Sequence, residues 1–314
     1  MRSGHLTGII ISSIVIVISC ILLFGESHNY NNDKPLIVCT TSIIADTVKQ
    51  ISGDHFDIVT LMGPGVDPHI YRAREHDVHA LSHATIIFYN GLHLEGKMAE
   101  LLEQMNHYTT AIAVTDCIPA HQLIQSPEFA TMYDPHVWFD IPIWIQITQS
   151  IGEHLSTIDP THAHEYQSKT QRYVHKLEQT HEYVLSKVSS LKPDQRILIT
   201  AHDAFGYFGR AYGFTVVGLQ GISTESEISI KDIELLAHYI VKHKVPAIFV
   251  ESSIPHRTLQ AIHNAVAMQG WSITIDPELF SDALGAPNTL GGSYIGMIRH
   301  NCDSIVSGLA RSIH

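Results

Sequence analysis

The sequence predicts an α/β fold of two lobes, each a mainly parallel four-stranded sheet flanked by helices. Three observations predict it. From Lys34 onward, short β-branched runs alternate with longer amphipathic stretches, the rhythm of βα units. Those runs are continuously apolar, as expected of strands covered on both faces in a parallel sheet. A single helical stretch of roughly 30 residues interrupts the rhythm near its middle, and 314 residues suffice for two cores.

The N-terminus lies outside that fold. Arg2 precedes an apolar stretch from Ile9 to Phe24, softened by Ser12, Ser13 and Ser19. It is shorter than the ~20 residues needed to span a bilayer and has the layout of a secretory signal peptide. Val17-Ile18-Ser19-Cys20 is similar to a bacterial lipobox, in which the Cys is acylated and begins the mature chain. The apolar Ile21 to Phe24 that follows leaves cleavage nearer Gly25, or an uncleaved anchor, as alternatives. The expected divisions are 1–33 for signal or anchor and linker, 34–158 for the first lobe, 159–192 for the long helix and 193–314 for the second lobe.

Strands are expected first at Leu36 to Thr40, Asp57 to Leu61, Ile86 to Tyr89 and Ala111 to Val114. Helices fall between them around Ile44 to Ile51, Arg74 to Ser82 and Leu94 to Met105. After Ile141-Pro142 a helix carries Trp144, Ile147 and Ile151 on one side. The long helix runs from Pro160 to about Leu191, with Tyr166, Tyr173, Leu177, Val184, Val188 and Leu191 forming one narrow stripe. Pro160 suits its first turn and Pro193 follows its end. At 1.5 Å per residue it would reach about 45 Å, the length of a two-lobed protein. The second half places strands at Arg196 to Ala201, Phe214 to Leu219, Ala247 to Glu251 and Ser272 to Ile275. Its helices are expected at Ile230 to His243, Pro255 to Met268 and Ser293 to Arg311.

The balance of 19 basic and 31 acidic residues gives a formal charge of −12. Nucleic acid and anionic membrane surfaces are excluded as partners, because binding them needs a basic face. The 23 histidines are scattered and form no tract, so their number alone carries no chemistry. Cys39, Cys117 and Cys302 cannot all pair, and no CxxC is present. Cys39 and Cys117 follow a pattern that could bring them together, with buried free thiols as the alternative.

Placement of a few histidines is more informative. Asp-Pro-His occurs twice, as Asp67-Pro68-His69 and Asp134-Pro135-His136. Proline fixes the backbone just before each imidazole and holds the preceding Asp extended. His202 follows the strand-like Ile197 to Ala201, and Phe280-Ser281-Asp282 offers a carboxylate. Three imidazoles and one carboxylate make a four-coordinate site for a divalent transition metal. His69, His202, Glu251 and Asp282 all closely follow predicted strands, where open parallel sheets bind ligands. Glu251 can be read as a fifth ligand, a structural acceptor or a partner for a ligand imidazole, and the last is favoured because metal-bound imidazoles normally donate their other N–H. His76, His79 and His83 share a helix face and are read as solvated, and His93 as structural.

In order along the chain come Leu61 to His69, Tyr89-Asn90-Gly91-Leu92-His93-Leu94-Glu95, Asp134 to Asp140, Thr200 to Phe208, Ile248 to Ser253 and Leu279 to Asp282. This succession resembles the TroA-like (cluster A-I) metal-binding receptors, the solute-binding components of bacterial ABC transporters for zinc, manganese or iron. The resemblance implies two α/β lobes bridged by the long helix, with the metal in the cleft between them. It places the family's ligand positions on His69, His136, His202 and Asp282. Family members dedicated to manganese often carry Glu where this chain has His202. Many zinc-dedicated members carry a His-rich insertion that is missing between His69 and His136. The expected cargo is therefore one divalent ion, Zn, Mn or Fe.

The expected function is that of an exported monomer that captures the ion and passes it to an ABC permease without chemistry. One alternative is a zinc hydrolase, against which stands the absence of HExxH or another metallohydrolase spacing. A surface adhesin or interaction protein is the other.

Overall fold

The computed structural model describes residues 34–126, 131–225, 228–252 and 257–311. The expected export segment over 1–33, with Cys20, lies outside them. Residues 35–314 pack as one unit.

In the first half, β1 (Leu36–Thr41), β2 (Asp57–Met62), β3 (Ile86–Tyr89) and β4 (Thr110–Ala113) form one sheet in the order β2-β1-β3-β4. Every pairing is parallel. All six residues of β1 are buried, which is why its run is apolar without alternation. Helices α1 (Ser42–Ser52), α2 (Glu75–His83) and α3 (Ala99–Met105) make the crossovers. Thr41 caps α1 by accepting from the Ile44 N–H at 3.3 Å. The stretch expected as one helix from Leu94 divides into a 3-10 turn, Gly96–Met98, and α3.

Helix α4 (Ile141–Ile158) starts with Asp140 as cap and Pro142 in its first turn. After a 3-10 turn at Pro160–His162 comes α5 (Ala163–Val188), 26 residues long and therefore about 39 Å. Its buried stripe includes Tyr166, Tyr173, Leu177, Val184 and Val188. That stripe packs on α1 and α4 from the first half and on α9 (Tyr294–Leu309) from the second. The long helix thus spans both halves, and one continuous apolar core runs beneath it.

The second half holds β5 (Ile197–His202), β6 (Thr215–Gln220), β7 (Ala247–Glu251) and β8 (Thr274–Leu279). β5 pairs with β6 and β7 with β8, both parallel, and β5 lies beside β7. The four strands thus form two two-stranded ladders side by side, and the β7–β8 register shifts between Phe249 and Glu251. Where β5 and β7 end together, the Glu251 carboxylate accepts the His202 backbone N–H at 2.9 Å in place of a ladder bond. Helices α7 (Ile230–His243) and α8 (Arg257–Met268) complete the layer. A seven-residue helix, α6 (Gly206–Tyr212), was not expected. Cys39 and Cys302 are buried free thiols and Cys117 is an exposed one.

Candidate metal centre

Both Asp-Pro-His segments fold the same way. Proline has no N–H, so the first donor the Asp side chain meets is that of the histidine two residues on. Asp67 Oδ1 accepts the His69 N–H at 2.9 Å, and Asp134 Oδ1 accepts the His136 N–H at 2.9 Å. Asp134 Oδ1 also lies 2.7 Å from His136 Nδ1, which turns Nε2 inward. His202 is the last residue of β5 and Glu251 the last of β7. Glu251 holds His202 twice, through its backbone N–H and by a 2.5 Å approach of Oε2 to Nδ1. Asp282 follows β8, and the neighbouring Ser281 carbonyl accepts from the Trp138 indole at 2.9 Å.

The four side chains converge. His69 Nε2 and His136 Nε2 are 3.3 Å apart, and His202 Nε2 is 3.3 Å from Asp282 Oδ2. Asp282 Oδ1 is 3.5 Å from His136 Nε2, and Oδ2 is 4.0 Å from His69 Nε2. Ligand atoms about 2.0–2.1 Å from a tetrahedral ion sit about 3.3 Å from one another; the shortest spacings here match that value, and the full set, within 4.8 Å, would draw in around an ion. His69 is the most exposed of the four at 3 %. Asp282 is fully buried, and the groups that face its two oxygens are the three imidazoles alone, at 3.3 to 4.0 Å. A carboxylate so buried is costly without close charge compensation, which a cation held among these atoms would supply.

Electrostatics divide the imidazoles. Burial drives His69 down to about 3, a neutral ring ready to ligate. Burial also opposes charge on His202, but the carboxylates of Glu251 and Asp282 outweigh it and hold its pKa well above the ordinary value. Asp282 is pushed up by burial and pulled down further by the surrounding imidazoles, His202 foremost, so it stays ionised. Of these imidazoles His202 thus has the strongest pull towards a proton, with which a cation at this candidate site would compete.

Residues 37–308 match the model of the zinc-uptake complex component A periplasmic family. The chain belongs to that family. It is 46% identical over 288 residues to the zinc-binding protein TroA of Treponema pallidum, covering 92% of this chain and 93% of that one. The manganese-binding lipoprotein MntA of Bacillus subtilis is 39% identical over 285 residues, covering 90% and 93%. The solved structure of periplasmic zinc-binding protein TroA from Treponema pallidum matches with a TM-score of 0.86, covering 88% of this chain and 100% of that one. The α/β architecture expected from the sequence, long helix included, is that of this structure.

Among the described residues, His69, His136, His202 and Asp282 are the one group of three or more potential ligands that closes to within 4.8 Å. His76, His79 and His83 stay outside it. His76 is exposed and lies 3.0 Å from Asp77, while His79 and His83 stack with ring centroids 4.3 Å apart. His93 sits in a left-handed turn with Gly91 and Leu92. Buried Glu95 secures that turn by accepting from Thr40 Oγ1 at 2.6 Å and from the Asn90 and Gly91 N–H groups at 2.7 and 3.2 Å. Asn90 in turn donates to the Pro135 carbonyl at 3.0 Å, so this family segment braces the residue before His136. Sequence reasoning missed that link, and it missed Tyr207, whose hydroxyl donates to the Asp134 carbonyl at 3.0 Å. Only the acceptor role of Asp67 and Asp134 had a local signal, since Asp-Pro-X favours a side-chain turn.

Proposed function

We propose that the protein is an extracytoplasmic receptor that captures one divalent transition-metal ion and delivers it to an ABC permease. The observation that carries this reading is the convergence of three imidazoles on one buried carboxylate, every ligand atom within 4.8 Å of the others. His69, His136 and His202 supply neutral nitrogens and Asp282 one negative oxygen, leaving a dication site near +1. The donor set suits zinc by type and geometry, and relatives named for zinc and for manganese make both ions candidates, with ferrous iron third. The four-stranded sheet of the first half and the two strand pairs of the second belong to lobes over 34–158 and 193–314, joined by the helix at 159–192. A chain of charge −12 docks on no nucleic acid and works as a monomer. Export uses residues 1–33, by lipid attachment at Cys20, by signal-peptide cleavage nearer Gly25 or as an uncleaved anchor.

The family is one of solute-binding receptors, and the reading assigns no catalytic step. A hydrolase would need a free base beside the metal. Glu251, the nearest such residue, spends one oxygen on the His202 N–H and the other against His202 Nδ1.

Elemental analysis of the purified protein, supplied with zinc, manganese and ferrous iron in turn, tests the proposal. About one metal per chain is expected, and none in His202→Ala. No stoichiometric metal under any condition would return these four residues to structural roles.

A further inference from the structure

The loop that leaves β6 crosses from the second half to the first, and its bonds form a continuous chain between two of the proposed ligands. β6 ends at Gln220, the register partner of His202. The Asp203 N–H donates to the Gly221 carbonyl at 3.3 Å, and the Gln220 amide donates to the Thr224 carbonyl at 3.3 Å, which fixes the turn. The Thr224 hydroxyl then donates to Asp67 Oδ2 at 2.7 Å. Asp67 Oδ1 is the acceptor of the His69 N–H. One residue further, Glu225 pairs with Lys97 at 2.8 Å. Ile222, Ser223 and Glu225 form part of the wall of a cavity of about 250 Å³ that also reaches His69.

We infer that residues 221–225 are a strap across the metal cleft and that Thr224 is a positioning residue for His69, acting through Asp67. The inference rests on the metal-capture reading. A carboxylate bonded through one oxygen can still swing about its own axis, carrying the turn and the imidazole with it. A hydroxyl on the second oxygen stops that swing. The bond is short, at 2.7 Å, and half-buried, so water competes for it little. The neighbouring Lys97–Glu225 pair is exposed, 38% and 42% by side chain, and so adds little. Thr224 therefore carries the effect. Its opening frees His69 without any movement of the long helix, giving the ion a way out that leaves both sheets in place.

The test is stopped-flow release of Zn²⁺ to excess chelator from the loaded full chain, beside thermal melting of the metal-free protein. Thr224→Val and Thr224→Ala are expected to release the ion roughly tenfold faster, the loss of one hydrogen bond. Thr224→Ser, which keeps the hydroxyl, is expected to stay within about twofold of the parent. Lys97→Met should change release by less than about threefold. Because the Thr224–Asp67 bond does not need the ion, the Val and Ala variants should melt a few degrees lower metal-free, and Tyr207→Phe, which destabilises without touching the strap, should release the ion less than about threefold faster. Parental release rates in both Val and Ala variants would overturn the inference, as would equally fast release in the Ser variant. A parent that holds no stoichiometric zinc sinks the receptor reading itself, and the strap with it.

Discussion

Replacing Glu251 by Gln separates two effects that the wild-type carboxylate combines. Glu251 receives two donors from one residue, the His202 backbone N–H at 2.9 Å and the Nδ1 edge at 2.5 Å. A carboxylate can accept both, whereas an amide has one acceptor and one donor face. If the amide oxygen stays on the backbone N–H, its NH2 meets Nδ1 and favours the tautomer with the proton on Nε2, the atom that must ligate. If the amide turns over, two N–H groups face each other. Either way one charge-assisted bond is lost, worth about 1.5–3 kcal/mol, or roughly 10–150-fold in affinity. Outer partners of ligand imidazoles typically cost 10–100-fold. The sign of the pH effect runs the other way. In the wild type, Glu251 and Asp282 raise the pKa of His202, so metal affinity should climb as pH rises through that raised pKa. Without the Glu251 charge, His202 gives up its proton at lower pH and competition weakens. Chelator-competition titration with Zn²⁺ from pH 5.5 to 8 should therefore show the largest loss at the alkaline end and a narrowing gap towards acid. A loss of equal size at every pH would refute the claim that Glu251 sets the protonation of His202.

Other perturbations reach the site through its supports. A methyl at Gly218 would sit 2.5 Å from the Asp203 nitrogen and 2.7 Å from the His202 carbonyl carbon, so Gly218→Ala should weaken zinc binding and destabilise by about 1–3 kcal/mol, read by melting and titration. Tyr207→Phe removes the hydroxyl that donates to the Asp134 carbonyl and accepts from the Ile124 N–H, and a loss of about 1–3 kcal/mol is expected in denaturant unfolding. His69 is held down to about 3, below its ordinary value near 6.5. Its contribution to metal-free stability is therefore present above about 6.5 and lost as pH falls towards 3. His69→Gln should flatten that acid limb in melts, and an unchanged slope would contradict the assignment.

Much of the fold was legible because strands buried on both faces must be apolar throughout. β1, β3 and β7 begin and end within a residue of their expected places. β8 was foreseen only in part, as Ser272 to Ile275, whereas it runs from Thr274 to Leu279. Pro277 reads as a strand terminator, but the register with β7 shifts between Phe249 and Glu251, and a bulge is where a strand tolerates proline. α6 escaped notice because Gly206, Gly209 and aromatic residues give it little intrinsic helicity and no apolar stripe. At the candidate site, the four residues that converge were marked in the sequence by Asp-Pro-His and by positions at strand ends. The supports were not, since the Trp138 bond to Ser281, the Tyr207 bond to Asp134 and the Thr224 bond to Asp67 join residues far apart in sequence. No local pattern encodes such contacts, which exist only once both halves are packed.

The three imidazoles are held by one device applied unequally, and under the strap inference that inequality would order the steps of release. Each backbone N–H is accepted by a carboxylate: His69 by Asp67, His136 by Asp134 and His202 by Glu251. In the second and third cases the same carboxylate also meets Nδ1, fixing ring as well as backbone. For His69 the remaining carboxylate oxygen faces Thr224 of the other half instead. Its ring orientation thus depends on the two halves staying together, while those of His136 and His202 are set by partners of their own half. His69 is also the proposed ligand that reaches the 250 Å³ cavity. A separation of the strap by an ångström or two breaks the long Thr224–Asp67–His69 chain before it disturbs the short carboxylate–imidazole contacts. The ion would then be left on His136, His202 and Asp282 with an open position towards the cavity, where a competing ligand can enter. Capture by the reverse path starts on those three fixed groups and is completed when the strap brings His69 in.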